Sequence, residues 1–406
     1  MKIFNQEYDI SIKRAVSLIM KNKVFLALVV LFSAIKYGLF HLNYDKFHVV
    51  VTLSTFAVYL TVLFYFTSFL IRKKKIVLVN FSILFVLLFV AEIVCYFYLG
   101  MPKKEWKDYS TANPSDHIGY HLGHVPWADS VWHDVKINGN DTIFDTYYDV
   151  DSINRRVTPG YDANKKKYAV FFGCSICFGY GLKDNQTIPY YLQQNTENYN
   201  SYNYSFNGWG CHHMLARLEH KDLSKEVKEK EGIGVYIFIW PHIRRAIGDM
   251  RIYTGWGHTM PYYYLDDGEV VRDGNFASGR WFTSKLYEFL KRSFIWDCFE
   301  VNLPTQIREN HMILAAEIIK KSKETYEQEF GNDNFYVVIH PVDWDAFTPE
   351  KNEEFKLLLK ERGIKYLDYS QKLPLEEGYT IKGDGHPNEK SDENCAKLLV
   401  KDLGLE

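Results

Sequence analysis

The chain has 406 residues, with 48 Lys and Arg against 50 Asp and Glu, a formal net charge of −2 and 17% aromatic residues. That balance carries no basic footprint for nucleic acid, and six scattered cysteines are too few for a disulfide scaffold at this length. The length allows more than one domain, and the long apolar runs concentrate in the first hundred residues.

Those runs predict three membrane spans, over 24–42, 49–71 and 76–99. Residues 49–71 hold no charged residue, and 76–99 hold only Glu92. Lys36 interrupts the first run at a cost of about 2.5–3.5 kcal/mol, which the neighbouring "VFLALVVLF" offsets. Lys13, Arg14, Lys21 and Lys23 precede the first span, and "RKKK" at Arg72–Lys75 separates the second from the third. The positive-inside rule then places both basic segments in the cytoplasm and everything after Leu99 outside it, with Lys103, Lys104 and Lys107 pulling the other way. The expected setting is a multi-pass protein of a plasma or inner membrane, with the lipid bilayer as a partner and the C-terminal domain extracytoplasmic. No short apolar run precedes a small-residue cleavage site, so no cleavable signal peptide is expected. Residues 5–23 read either as an amphipathic helix on the inner surface or as a disordered tail.

Residues 101–160 read as a connector rich in Trp, Tyr and His, with 145–159 as a strand and turn leading into the domain beyond. His117, His121 and His124 have a spacing that would suit a metal on a helix, but Gly119 and Gly123 disfavour a helix there, so a surface loop and no metal are expected. From 161 to 406 short apolar runs alternate with mixed segments. Strands are predicted at 168–173, 202–206, 234–240, 335–341 and 364–369. Helices are predicted at 187–197, 210–230, 305–330, 350–362 and 389–403, with 245–304 as an insertion. This pattern predicts an α/β domain, a parallel sheet covered on both faces, whose chemistry sits at the carboxyl ends of the strands.

The first strand ends in "GCSICFGYG", which offers two chemistries. Cys174 and Cys177 have the CxxC spacing of a redox pair. Ser175 stands where a strand hands a nucleophile to a following helix. A serine needs an oxyanion hole, a histidine base and an orienting carboxylate. "FNGWG" at 206–210 supplies Gly208 beside the first strand's end, and "DGHPN" supplies Asp384 and His386 before the last helix. The thiol reading leaves both motifs unexplained. The bland alternatives are a turn serine at Ser175, a solvated loop at 384–386 capping the last helix through Asn388 or Ser391, and Cys174 and Cys177 as small buried residues, with a Cys174–Cys211 disulfide unsupported. His212 and His213 are expected on a helix surface, and 251–268, rich in Trp and Tyr, reads as a lid, an aromatic platform or ordinary packing.

Three blocks, "GCSICFGYGLKDNQTIPYYLQ", "NYSFNGWGCHHMLARLE" and "DGHPN", resemble in kind and order the SGNH, or GDSL-like, hydrolase superfamily over about residues 165–403. The resemblance implies a three-layer α/β/α, flavodoxin-like domain that hydrolyses or transfers an acyl ester without a cofactor. It implies Ser175 as nucleophile, His386 as base, Asp384 as its partner and Gly208 as an oxyanion glycine. The chain departs from the family pattern at Cys174, where the family has Asp, and after the third strand. There "WPHIRRA" puts His242 near the place of an oxyanion Asn, as a substitute donor or as a residue one layer behind. The acid and base are also separated by a single residue, where the family often has two between them. An outward, tethered site would meet acyl esters on surface glycans. The other readings are a catalytically silent SGNH-like binding or assembly module and a thiol oxidoreductase using Cys174–Cys177.

Overall fold

The computed structural model describes residues 75–99, 106–110, 118–119, 121–220, 222–342 and 348–405. Segment 5–23, the predicted spans 24–42 and 49–71, and His117 lie outside the described residues. The chain divides into two units, 1–101 with 290–300, and 102–289 with 301–406.

In the first unit, α1 (Lys75–Leu99) is one 25-residue helix, about 37 Å long, that coincides with the third predicted span. Its side chains are described from Leu87 onward, and among the described residues no helix is long and apolar enough to cross a membrane. Glu92, the one acidic residue of that run, is buried and satisfied. One carboxylate oxygen accepts from the Ser293 hydroxyl and the other from the Phe294 N–H at 2.7 Å.

The second unit opens with a three-stranded antiparallel sheet where a connector was expected. It contains β1 (Trp106–Ser110), β2 (Ser130–Asn138) and β3 (Asp141–Val150), in that order. A two-residue turn, Gly139-Asn140, joins β2 to β3, and Gly139 takes the positive φ of +65° that the first position of such a turn requires.

The predicted alternation follows. The elements are β4 (Lys167–Phe172), α2 (Ser175–Phe178), α3 (Ile188–Gln194), β5 (Tyr199–Asn203), α4 (Cys211–His220), β6 (Glu231–Phe238) and α5 (Pro241–Ile247). Then come the hairpin β7 (Pro261–Asp266) and β8 (Glu269–Asn275), α6 (Glu309–Phe330), β9 (Phe335–Ile339), α7 (Pro349–Glu361), β10 (Lys365–Asp368) and α8 (Glu389–Leu403). The five strands β10-β9-β6-β4-β5 pair in that spatial order, all parallel. Counted along the sheet's own strands this is 2-1-3-4-5, a doubly wound order whose switch point lies at the carboxyl ends of β4 and β6.

Side-chain alternation splits each central strand between two cores. Tyr168, Val170, Phe172, Tyr236 and Phe238 pack with Leu215 of α4, Ala315 and Ile319 of α6 and Phe355 of α7. Ala169, Phe171, Val235 and Ile237 pack with Ile188 and Leu192 of α3 and with Cys395 and Leu399 of α8. Two predicted boundaries move. The strand expected at 202–206 occupies 199–203, and 204–206 only continue its path, through Tyr204 N–H to the Phe171 carbonyl at 2.8 Å and Phe206 N–H to that of Gly173 at 3.5 Å. The helix expected over 210–230 ends at His220 and is followed by a separate turn, Leu223–Lys225. The insertion 245–304 begins inside α5, and its residues 290–300 fall in the first unit.

Arg156 ties the antiparallel sheet to the edge of the parallel one. Its backbone bridges Val150 and Asn203. Its guanidinium is fully buried and donates to Asp184 Oδ1 at 2.8 Å and to the carbonyls of Phe178, Gly179 and Leu182 at 2.5–2.7 Å. Tyr148 and Phe178 offer their ring faces to it, at 4.6 and 4.8 Å. Removing one partner of such a buried pair strands the other. Arg156→Ala is therefore expected to destabilise the domain by about 3–5 kcal/mol, read from the urea midpoint; a loss under about 1 kcal/mol would refute this bracing role.

Candidate active site

β4 ends at Phe172, Cys174 is extended at φ −112° and ψ −152°, and Ser175 opens the four-residue helix α2. Gly179 closes that helix in the left-handed region, φ +83°, with its N–H on the Ser175 carbonyl at 3.0 Å. A strand, a sharp turn and one helical turn thus hold Ser175 at the switch point of the sheet.

His386 reaches the same point from the loop before α8. That loop is closed by Ile381 N–H on the His386 carbonyl at 2.7 Å and by Asp384 N–H on the Ile381 carbonyl at 3.1 Å. Asn388, not Ser391, caps α8, accepting from the N–H groups of Lys390 and Ser391. His386 Nε2 lies 2.9 Å from Ser175 Oγ, and its Nδ1 lies 2.5 Å from Asp384 Oδ1. A carboxylate can only accept, so Nδ1 carries the proton and Nε2 presents a lone pair to the Ser175 hydroxyl.

The second oxygen of Asp384 accepts from Lys136 Nζ at 2.8 Å, with the Asp384 side chain 1% exposed. Burial alone would raise this carboxyl. The hydrogen bond and charge of His386, and then those of Lys136, more than reverse it and hold it well below the usual carboxylate range. Lys136 stands on β2, 248 residues from its partner, within the segment 101–160.

Gly208 lies just past the stretch that continues β5 alongside β4, where the Phe206 N–H meets the Gly173 carbonyl at 3.5 Å. Gly208 has φ +76°, and a Cβ there would lie 2.8 Å from Trp256 Nε1 and 3.2 Å from His124 Nε2. His242 is fully buried, the second residue of α5. Its Nδ1 accepts the Tyr236 hydroxyl at 2.6 Å, which leaves the proton on Nε2, a buried donor with no partner among the described residues. Burial, then the charges of Arg245 and His212, hold its pKa well below the ordinary value, so the ring is neutral.

His212 and His213 are not on a surface. Both are wholly enclosed, because α5, α6 and β7 pack around α4. His213 Nδ1 accepts Gly210 N–H at 3.2 Å. His121 and His124 belong to a short hairpin, and His121 lies against the His220 ring at 3.4 Å. Among the described residues no group of side chains is arranged to hold a metal.

The two cysteines flanking Ser175 are free thiols with no exposure, as is Cys211, so no Cys174–Cys211 bridge exists. Burial pushes the Cys177 thiol far up, opposite to what a reactive thiolate needs. Cys174 packs in the apolar core with Ile176 and Ile237, where an Asp would bury an uncompensated charge.

No family model and no curated protein matches the sequence. In chain path the molecule is similar to a lipolytic protein of the G-D-S-L family from Veillonella parvula, at 16% identity over 58% of this chain and 97% of that one, with a TM-score of 0.32. It is also similar to a salicylyl-acyltransferase from a tetracycline biosynthetic pathway, at 11% identity over 67% and 59%, with a TM-score of 0.33. A carbohydrate esterase family 2 enzyme from Corynascus thermopiles is a third, at 13% identity over 61% and 69%, with a TM-score of 0.33. At TM-scores this low the functional reading rests on the side-chain geometry instead.

The depressed Asp384 carboxyl has a consequence for stability. Its stabilising contribution is present above its unfolded pKa, about 3.9, and is lost as pH falls through the folded value. Urea midpoints measured from pH 7 to pH 2 should show Asp384→Asn less stable than the parent at neutral pH, with the gap closing below about pH 4. A gap independent of pH would contradict the ion-paired state.

Proposed function

We propose that this chain is a serine esterase or acyltransferase of SGNH type. The observation that carries the reading is the hydrogen-bonded series Asp384–His386–Ser175, in the tautomer a general base requires. His386 Nε2 takes the Ser175 proton as Oγ attacks the acyl carbon. The oxyanion is held by the Ser175 and Gly208 N–H groups and by the neutral Nε2–H of His242, and Asp384 stabilises the imidazolium. His386 then gives its proton to the departing alkoxide, leaving an acyl-serine. Water or a second hydroxyl, deprotonated by the same histidine, releases the acyl group and restores Ser175.

The site is proposed to be tethered to a membrane, with the domain outside the cytoplasm, acting on small acyl esters such as those on surface glycans. Support for the tether comes from the apolar runs of the sequence. The chain is expected to stay in the membrane fraction after alkaline carbonate washing; complete release would overturn the tether.

Labelling of the membrane-embedded protein with a serine-directed fluorophosphonate tests the chemistry. The parent should label, and Ser175→Ala and His386→Ala should not. Ester turnover should fall roughly 10⁴-fold or more in either. No labelling of folded parent protein would overturn the assignment. Lys136→Met, which leaves the acid without its second partner, should lower kcat about tenfold or more with little change in KM; a change confined to KM would mean that Lys136 binds substrate instead.

A further inference from the structure

The insertion carries a turn that the proposed chemistry does not use. Residues Tyr253–Gly257, "YTGWG", form a single wide, π-type turn, a geometry that recurs at functional sites. The turn is well anchored. Asp249 Oδ1 accepts Ile252 N–H at 2.9 Å, and its Oδ2 accepts the Asn302 amide at 2.7 Å. Tyr253 N–H bonds to the Asp249 carbonyl at 2.8 Å, and the Thr254 hydroxyl to that of Met250 at 2.7 Å. Trp256 is nevertheless 44% exposed.

Its indole Nε1 occupies the space a Cβ on Gly208 would take, 2.8 Å away. Among the described residues that N–H has no hydrogen-bond partner. Asn207, next in the chain to Gly208, has a buried side-chain oxygen that is also unpartnered. The oxyanion loop is thus flanked by an open aromatic face, an unmatched donor and an unmatched acceptor. An aliphatic acyl chain would satisfy neither polar group. Ring hydroxyls both donate and accept, and the C–H face of a sugar ring covers an indole.

We infer that Trp256 recognises the alcohol half of the ester, and that this half is a polyhydroxylated, sugar-like ring. The inference rests on Ser175 being the nucleophile. The Gly208 φ of +76° then has a second reason, since a side chain there would displace the indole from the loop.

The test compares the full-length parent with Trp256→Phe and Trp256→Ala, on an acetylated methyl glycoside and on p-nitrophenyl acetate. The ratio of kcat/KM for the sugar ester over the simple ester should fall about tenfold in Trp256→Ala, mostly through KM, and less in Trp256→Phe, which keeps a ring face and loses the N–H. Fluorophosphonate labelling shows that each variant retains an activated serine. A ratio unchanged in both variants, with labelling present, would overturn the inference and leave the nucleophile standing. A shift in preference toward long-chain acyl esters would overturn it in favour of an acyl-chain wall. No labelling of the parent would overturn the nucleophile assignment and this inference with it.

Discussion

The Asp384 carboxylate, almost wholly buried, is the point through which the site is built. A charge so enclosed persists only with partners on both oxygens, and here they come from opposite directions. His386 approaches from its own loop and passes the interaction on to Ser175. Lys136 approaches from the antiparallel sheet that precedes the α/β domain. The β1–β3 sheet is therefore part of the site, and the α/β layers alone would leave a buried carboxylate half satisfied.

The same sheet braces the other side of the serine. Arg156 follows β3 and closes on three carbonyls at the end of α2 and in the turn after it, so the loop behind Ser175 and the Asp384 carboxylate are both held by residues outside the doubly wound domain. A parallel sheet supplies the direction, since its switch point gathers the ends of β4, β5 and β6 at one edge. The added sheet supplies fixed charge, and the insertion places the Trp256 indole against Gly208. Preorganisation of this kind matters because a base displaced by an ångström loses much of its effect.

The strands and helices of the α/β domain were legible because buried parallel strands are short continuous apolar runs, and the 389–403 helix was placed to the residue. Ser175, Asp384 and His386 were legible because each sits in a turn with a local signature. Lys136 and Arg156 were not. Their partners lie 248 and 28 residues away, and neither a lysine on a strand nor an arginine in the turn after one has a local mark of its role. The sheet left two signals: the strand expected at the start of 145–159, which β3 covers as far as Val150, and Asn138-Gly139 before it, which is a hairpin turn sequence. His212 and His213 were misplaced because helix periodicity shows one buried face, and α4 is covered on the others by elements with no periodic signal of their own.

In the proposed chemistry the reacting atom is the oxygen of Ser175 and not a sulfur beside it. The most direct test is rapid mixing of the intact protein with an activated acetyl ester, acid quench and peptide mass mapping of residues 168–183. A transient acetyl adduct on Ser175 should form faster than it decays and be absent from His386→Ala. Acetyl carried by Cys174 or Cys177 with Ser175 unmodified would contradict this chemistry.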